Sequence, residues 1–301
     1  MGPEHSALLL ATHRTKSADG TLIAYYATDP PGPNAPVLVL AGGLGGHHRA
    51  WLPQISYLHD RFRFLTWDYR GLFGSADPPP ARSEPYAMKR HVEDLEAVLR
   101  AQQIDRFSLV GWSMGVQVAL EAYSRMPARV VSLALINGTA GRPFDWIGGL
   151  PAAGAVLRRL VGLAAHGGPI LNALVKTPAR RHKLARWLPR LGIVDESVDP
   201  ELLAELVADV ADIRLAAYTH ILKAAAEHDA SGVLAGVHVP VLVLAGDHDP
   251  FTPAALVHSM ARHIPDSELR MVPGGGHYLC LEFPDLVNLE LERFYGRIGL
   301  A

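Results

Sequence analysis

The sequence predicts an α/β fold, with a mostly parallel central sheet flanked by helices and a helical insertion in the second half of the chain. Three observations predict it. Short apolar runs recur along the chain, and the central ones are continuous in Val, Leu and Ile rather than alternating, as strands covered on both faces require. Stretches with helical spacing fall between them, and strand alternating with helix builds a parallel sheet. From Thr139 to about Gly236 that rhythm stops, and five possible helices, punctuated by glycine and proline, replace it.

The elements follow in order. Thr21–Tyr26, Val37–Ala41 and Phe62–Trp67 read as strands. Arg90–Gln102 reads as a helix, because Val92, Leu95, Val98 and Leu99 share one face and charges occupy the rest. Strand Phe107–Val110, helix Val116–Arg125 and strand Val130–Ile136 come next. After the insertion, strand Val241–Ala245, helix Pro253–His263, strand Glu268–Val272 and helix Asp285–Tyr295 close the chain. Residues 1–138 and 237–301 are therefore expected to form the core, and 139–236 a cap or lid over the sheet, with a separate helical bundle as the alternative. No internal repeat is evident.

Length and composition narrow the function classes. A chain of 301 residues holds one large domain, or one domain with a sizeable insertion. Hydrophobic residues at 49% and charged residues at 19% are ordinary for a soluble globular protein. A net charge of −2 offers no whole-chain attraction for nucleic acid, so no such partner is expected. The single cysteine, Cys280, excludes an intrachain disulfide. Met1 to Lys16 has no basic segment before its apolar run Ala7–Ala11, which is too short for a secretion signal or membrane span. A soluble, cytoplasmic protein is the expectation, with its oligomeric state open.

The chemistry is announced by Gly111-Trp112-Ser113-Met114-Gly115. This pentapeptide lies between a predicted strand and a predicted helix, so Ser113 is expected on a sharp turn, its hydroxyl clear of the chain at the positive end of the helix. A serine hydroxyl is a weak nucleophile until a base takes its proton, and that base needs a carboxylate to orient it. For a serine on this kind of turn the partners follow in the order acid, then histidine. Two aspartates, Asp247 and Asp249, occupy the loop after strand Val241–Ala245; Asp249 stands further off the strand, whereas Asp247 suits a turn. His277 follows three glycines between the last strand and the last helix, a position none of the other fourteen histidines shares; His248 suits a loop surface. An oxyanion needs backbone N–H donors. Met114, directly after the serine, is one candidate; Gly43, or else Leu44, in the loop Ala41-Gly42-Gly43-Leu44-Gly45-Gly46 is the other. That loop lacks the glycine spacing of a nucleotide-binding turn. No metal or cofactor is expected.

These residues together resemble the α/β-hydrolase superfamily with a serine nucleophile, over essentially the whole chain. Gly246 to Pro253 is similar to its G-x-x-D-x-x-x-P loop, and Gly276, His277, Glu282 and Pro284 to its G-H-x-x-x-x-E-x-P segment. Trp67 to Ser75 resembles its D-x-R-G-x-G-x-S turn, in which Asp68 and Arg70 are expected to be scaffold. Three departures stand out. Ala41-Gly42 replaces the usual His-Gly that braces the oxyanion loop, Phe73 stands where the second glycine of the turn belongs, and Val116 follows the pentapeptide where another glycine is common. The resemblance implies the fold with a helical cap and cleavage of carboxylic esters or lactones by Ser113, His277 and Asp249 through an acyl-enzyme. Serine in place of aspartate argues against haloalkane dehalogenases and epoxide hydrolases. Carbon–carbon hydrolases and cofactor-free perhydrolases, which use the same three groups, remain alternatives, as does a ligand-binding protein without turnover.

The substrate side is less sharply written. Ile147 to Leu163 and Pro169 to Val175 are strongly apolar, which suits a small apolar ester or lactone under a lid, or helices packing on each other. Lys176, Arg180, Arg181, Lys183, Arg186 and Arg190 form a basic run, and Asp195 to Asp212 is acidic, which suggests complementary surfaces. Leu44, Trp112, Phe144 and Trp146 are candidates for the pocket wall, as is Trp51; Trp112 fits core packing beneath the serine turn equally well.

Overall fold

In the computed structural model, residues 10–80, 83–141, 187–189, 194–211 and 213–300 are described. They build an eight-stranded sheet in the order β1-β2-β4-β3-β5-β6-β7-β8. The strands are β1 (Ala11–Lys16), β2 (Leu22–Ala27), β3 (Val37–Ala41), β4 (Arg63–Trp67), β5 (Phe107–Trp112), β6 (Val130–Ile136), β7 (Val241–Gly246) and β8 (Ser267–Val272). From β4 to β8 all pairings are parallel; β2 runs antiparallel to both β1 and β4. The interior strands β5 and β7 are buried at every position, which is why β7 reads as an unbroken apolar run and β5 as one interrupted only by Ser108. β1 is a departure from the predicted order. Its sequence ATHRTK is polar and almost wholly exposed, so no apolar run marked it.

The helices flank the sheet: α1 (Leu52–Leu58), α2 (Met88–Ala101), α3 (Met114–Arg125), α4 (Pro200–Ala211), α5 (Leu215–Glu227), α6 (Ala254–His263), α7 (Leu279–Glu282) and α8 (Pro284–Arg297). One apolar cluster, with Val92, Leu95, Val98, Val116 and Leu120, lies between the sheet and α2 and α3. A second, with Ile55, Leu58, Val287, Leu291 and Phe294, joins the opposite face to α1 and α8. Sandwiching the parallel strands in this way places the carboxyl ends of β3, β5, β6, β7 and β8 along one rim, where α/β folds carry their sites.

Of the predicted insertion, α4, α5 and a 3-10 turn (Ser231–Gly236) are described, and no strand occurs among its described residues. α5 lies against the core: Arg214, just before it, donates to the carbonyls of Gly71 (3.0 Å) and Ser75 (2.7 Å). α4 is tied by Asp209, whose carboxylate meets Arg49 at 2.8 Å and His47 at 2.9 Å. The acidic segment thus meets a core arginine. The basic run from Lys176 to Arg190 and the apolar stretches Ile147–Leu163 and Pro169–Val175 lie outside the described residues. No described helix is long and apolar enough to cross a membrane.

The turn after β4 is buried and heavily paired. Arg70 is fully buried and paired with Asp19 at 2.8 Å and Asp94 at 2.6 Å. Asp68 accepts hydrogen bonds from Tyr26 and the Gly74 N–H, both at 2.9 Å. Phe73 carries the positive φ, +45°, that the absent glycine would have adopted freely. Its ring packs on His47, with centroids 4.8 Å apart, and does not line the cavity beside Ser113.

Candidate active site

Ser113 stands between β5 and α3 with φ +55° and ψ −118°, a backbone conformation that costs a non-glycine residue on the order of 1–3 kcal/mol. The flanking glycines make it possible by close approach. A Cβ on Gly115 would lie 2.0 Å from the Ala41 carbonyl oxygen, and one on Gly111 2.4 Å from that of Gly115. The Val116 departure has a counterpart across the turn, where Gly138 leaves room for it: a Cβ there would lie 2.4 Å from Val116 Cγ2.

His277 and Asp249 reach the serine from the loops after β8 and β7. His277 Nε2 is 2.9 Å from Ser113 Oγ, and its Nδ1 is 2.8 Å from Asp249 Oδ2. With the carboxylate on Nδ1–H, Nε2 is left as the acceptor facing the hydroxyl. Asp249 is buried and also accepts from the N–H groups of Phe251 (2.7 Å) and Thr252 (3.1 Å), from the Thr252 hydroxyl and from Asn137 Nδ2 (2.9 Å). Burial alone would raise its pKa; the hydrogen bonds from His277, Thr252 and Phe251 outweigh that and hold the carboxyl below the ordinary carboxylate range. Asp247 is exposed and accepts the Gly274 N–H at 2.7 Å, a turn role, and His248 is exposed.

Three supports hold these loops, and of them sequence reasoning had singled out only Glu282, as a motif residue without a stated role. Asn137, at the end of β6 with φ +43°, bridges Asp249 and the Gly276 carbonyl, while its Oδ1 accepts the Gly246 N–H at 3.2 Å. Glu282 is buried and accepts the Gly276 N–H at 2.8 Å, fixing the histidine loop from behind. Tyr69 donates its hydroxyl to the Gly42 carbonyl at 2.7 Å, so the loop that lacks its histidine is braced from the turn after β4. The positive φ at an asparagine is the kind of local peculiarity Asn tolerates, but nothing in the sequence says what it touches.

Gly43 and Met114 flank the serine: a Cβ on Gly43 would lie 3.3 Å from Ser113 Cβ, and Met114 is the first residue of α3. Ser113 opens onto a cavity of about 300 Å³ lined from the core by Leu44, Met114, Thr139 and Phe251 and from α5 by Tyr218, Leu222 and Ala225. Leu44 is on its wall. Trp112 is not: it is buried beneath the turn, donates Nε1–H to the His277 carbonyl at 2.9 Å and packs edge-on against Trp51. Trp51 is fully buried too. Phe144 and Trp146 lie outside the described residues. His47, His48 and Asp68 form a separate group whose ligand atoms lie within 4.8 Å of one another.

Comparison with known proteins identifies the fold family. A family model of the alpha/beta hydrolase fold matches residues 36–284. A protein of Agrobacterium fabrum named putative carbamate hydrolase RutD is 29% identical over 264 residues, covering 86% of this chain and 93% of that protein. The protein of the same name from Klebsiella pneumoniae is 29% identical over 266 residues, covering 87% and 92%. Among solved structures, the enol-lactonase of Burkholderia xenovorans superposes with a TM-score of 0.72 at 24% identity, over 94% of this chain and 99% of that one. A thermophilic esterase of Thermogutta terrifontis does so with 0.72 at 22%, over 96% and 99%. At these identities the structural likeness speaks for the fold.

Proposed function

Because the chain belongs to the alpha/beta hydrolase fold family, we propose that it is a serine hydrolase that cleaves carboxylic esters or lactones through an acyl-enzyme. The observation that carries this is the unbroken run of hydrogen bonds from Asp249 through His277 to Ser113 at the mouth of an apolar cavity. In the reaction Ser113 Oγ attacks the substrate carbonyl while His277 Nε2 takes its proton. Asp249 holds the tautomer that leaves Nε2 free and stabilises the imidazolium. The N–H groups of Met114 and Gly43 receive the oxyanion, which strengthens their bonds as charge develops. His277 then gives its proton to the leaving oxygen. Water, deprotonated by the same nitrogen, releases the acid and restores Ser113. Residues 139–236 serve as the cap, a role supported by α5 forming one wall of the cavity.

A second reading, cleavage of a carbamate by the same groups, draws on the two relatives whose names carry that activity. The primary test is a panel of p-nitrophenyl esters of graded acyl length, with fluorophosphonate labelling. Wild type turns over the shorter esters and labels at Ser113, and Ser113→Ala loses activity by about 10⁴-fold or more. Full turnover by Ser113→Ala would end the proposal.

A further inference from the structure

The cavity beside Ser113 holds few polar side chains besides the serine and its histidine, and most of them are already engaged. Thr139 Oγ1 donates to the Gly141 carbonyl and accepts the Gly141 N–H, and the Thr252 hydroxyl donates to Asp249. Gln117 donates Nε2–H to the Ala225 carbonyl at 3.1 Å, and its Oε1 has essentially no accessible surface, so neither end serves a molecule in the cavity. Tyr218 and Tyr278 differ. Both line the cavity, both are only partly buried, and neither hydroxyl is hydrogen-bonded to a described residue. Their rings are held in place. Tyr218 stands on α5 with its ring against the loop after β3, where a Cβ on Gly45 would lie 3.2 Å from Tyr218 Cε2. Tyr278 packs edge-on against Trp112 and His277, with ring centroids 5.6 Å apart in each case. Burial, and after it nearby Tyr218, push the Tyr278 hydroxyl up to about 12, and burial raises Tyr218 too. Both are therefore uncharged O–H donors around neutral pH.

A molecule that fills the cavity displaces the water that would otherwise serve these hydroxyls, and it loses affinity unless it supplies acceptors in exchange. In small-molecule sites a few such polar groups on an apolar wall fix the orientation of the ligand. Charge decides what the acceptor is. No lysine or arginine lines the cavity among the described residues, so a carboxylate there would be buried without a counter-charge. We infer that Tyr218 and Tyr278 are specificity-determining residues, whose hydroxyls donate hydrogen bonds to an uncharged acceptor, a ketone, amide or ether oxygen, on the substrate away from the scissile bond. This rests on the reading of Ser113 as the nucleophile. The substrate class is then narrower than an apolar ester or lactone: it is one that carries a second oxygen acceptor.

The test uses two pairs of esters of nearly identical shape, whose members differ by a ketone oxygen against a methyl group. One pair places the oxygen in the acyl part: p-nitrophenyl 4-oxopentanoate and p-nitrophenyl 4-methylpentanoate. The other places it in the alcohol part: 2-oxopropyl pentanoate and 2-methylpropyl pentanoate. The readout is the ketone-to-methyl ratio of kcat/KM within a pair, variant against wild type, which cancels the intrinsic reactivity of each ester. In at least one pair that ratio is expected to fall about threefold in Tyr218→Phe and in Tyr278→Phe, and about tenfold in the double variant. The pair in which it falls tells which end of the substrate the tyrosines hold. A role in packing alone would lower both members of a pair by one factor. Ratios unchanged in both pairs, in either single variant, would overturn the proposal. Calorimetric binding of the four corresponding amides to Ser113→Ala separates this from the mechanism. If no ester is hydrolysed, the ratio of dissociation constants decides: a preference for the ketone that falls on adding either Tyr→Phe substitution supports the role, and an unchanged ratio overturns it.

Discussion

Two arginines hold the two sides of this site, and they do so under opposite conditions. Arg70, beneath the core side, is fully buried and reaches Asp94 with two nitrogens and Asp19 with a third contact. Arg49, on the cap side, has a side chain 36% exposed and holds Asp209 of α4, which is itself 18% exposed. Geometry alone makes the two look alike. Burial separates them: removing one partner of a buried pair strands a charge and costs about 3–5 kcal/mol, whereas a partly exposed pair contributes about 0–1 kcal/mol. The framework that aligns Ser113, His277 and Asp249 therefore rests on buried pairing, whereas α4 of the insertion is lightly held; α5, which supplies the cavity wall, packs Ala217, Ile221 and Ala225 into the core. Chemistry fixed in a core beneath an insertion that can vary is how one fold comes to host many substrates.

The largest expected break in that contrast is Asp94→Leu, which leaves Arg70 buried with half its carboxylate partners. It should lower stability by about 3–5 kcal/mol, read as a fall in the urea midpoint. A loss no larger than that of a surface variant would mean Arg70 is hydrated and the core side less rigid than its burial implies.

Acid should weaken the core before it releases the cap. His91 is completely buried, and burial first, then the charge of Arg70, push its pKa down from 6.5 to about 3. Between those values the unfolded chain binds a proton that the folded one refuses, so stability falls as pH drops below about 6.5. At pH near 4.5 the loss should be roughly 2–3 kcal/mol, and His91→Leu should flatten the profile over that window. Asp209 responds in the same direction but in a more acidic window. Burial raises its pKa, but His47 and Arg49 outweigh that and lower it, so its contribution is present above the ordinary carboxylate range and is lost only as pH falls below it. An unchanged acid limb in His91→Leu would assign the lability elsewhere.

Asn137→Leu sharpens the comparison within the site. It removes the amide that holds Asp249 and the Gly276 carbonyl together while leaving the cap untouched. Displacing the acid and the histidine loop should reduce kcat by up to about 10²-fold with little change in KM. Asp209→Asn should do the reverse at the smallest scale: stability changes by at most about 1 kcal/mol, KM shifts by a few fold, and the difference from wild type shrinks at high salt. A kcat loss in Asp209→Asn equal to that in Asn137→Leu would erase the distinction between the two sides.

The sequence disclosed the site where the information is local. Gly111 to Gly115, the apolar run of β5 and the start of α3 lie within a few residues of one another, and the turn follows from them. The strands β3 and β6 were legible to the residue, because burial on both faces leaves an uninterrupted apolar signature. β1 was not, since an exposed edge strand has no such signature. Trp112 illustrates the other limit. Its place beneath the turn depends on the His277 carbonyl, 165 residues away in the chain, and no local pattern could report it. Asn137 escaped for the same reason: it gets its role from partners contributed by the loops after β7 and β8.

The place of β5 in the sheet has one more consequence. Four strands lie to one side of it and three to the other. Opening at either edge, where β1 and β8 have a neighbour on one side only, leaves β5 paired with both β3 and β6. Its amides should therefore be among the slowest in the molecule to exchange with deuterium, released only when the whole sheet comes apart, while those of β1 exchange through local fraying. The serine at the end of that strand then shares the lifetime of the entire fold, and breathing at the periphery reaches it last.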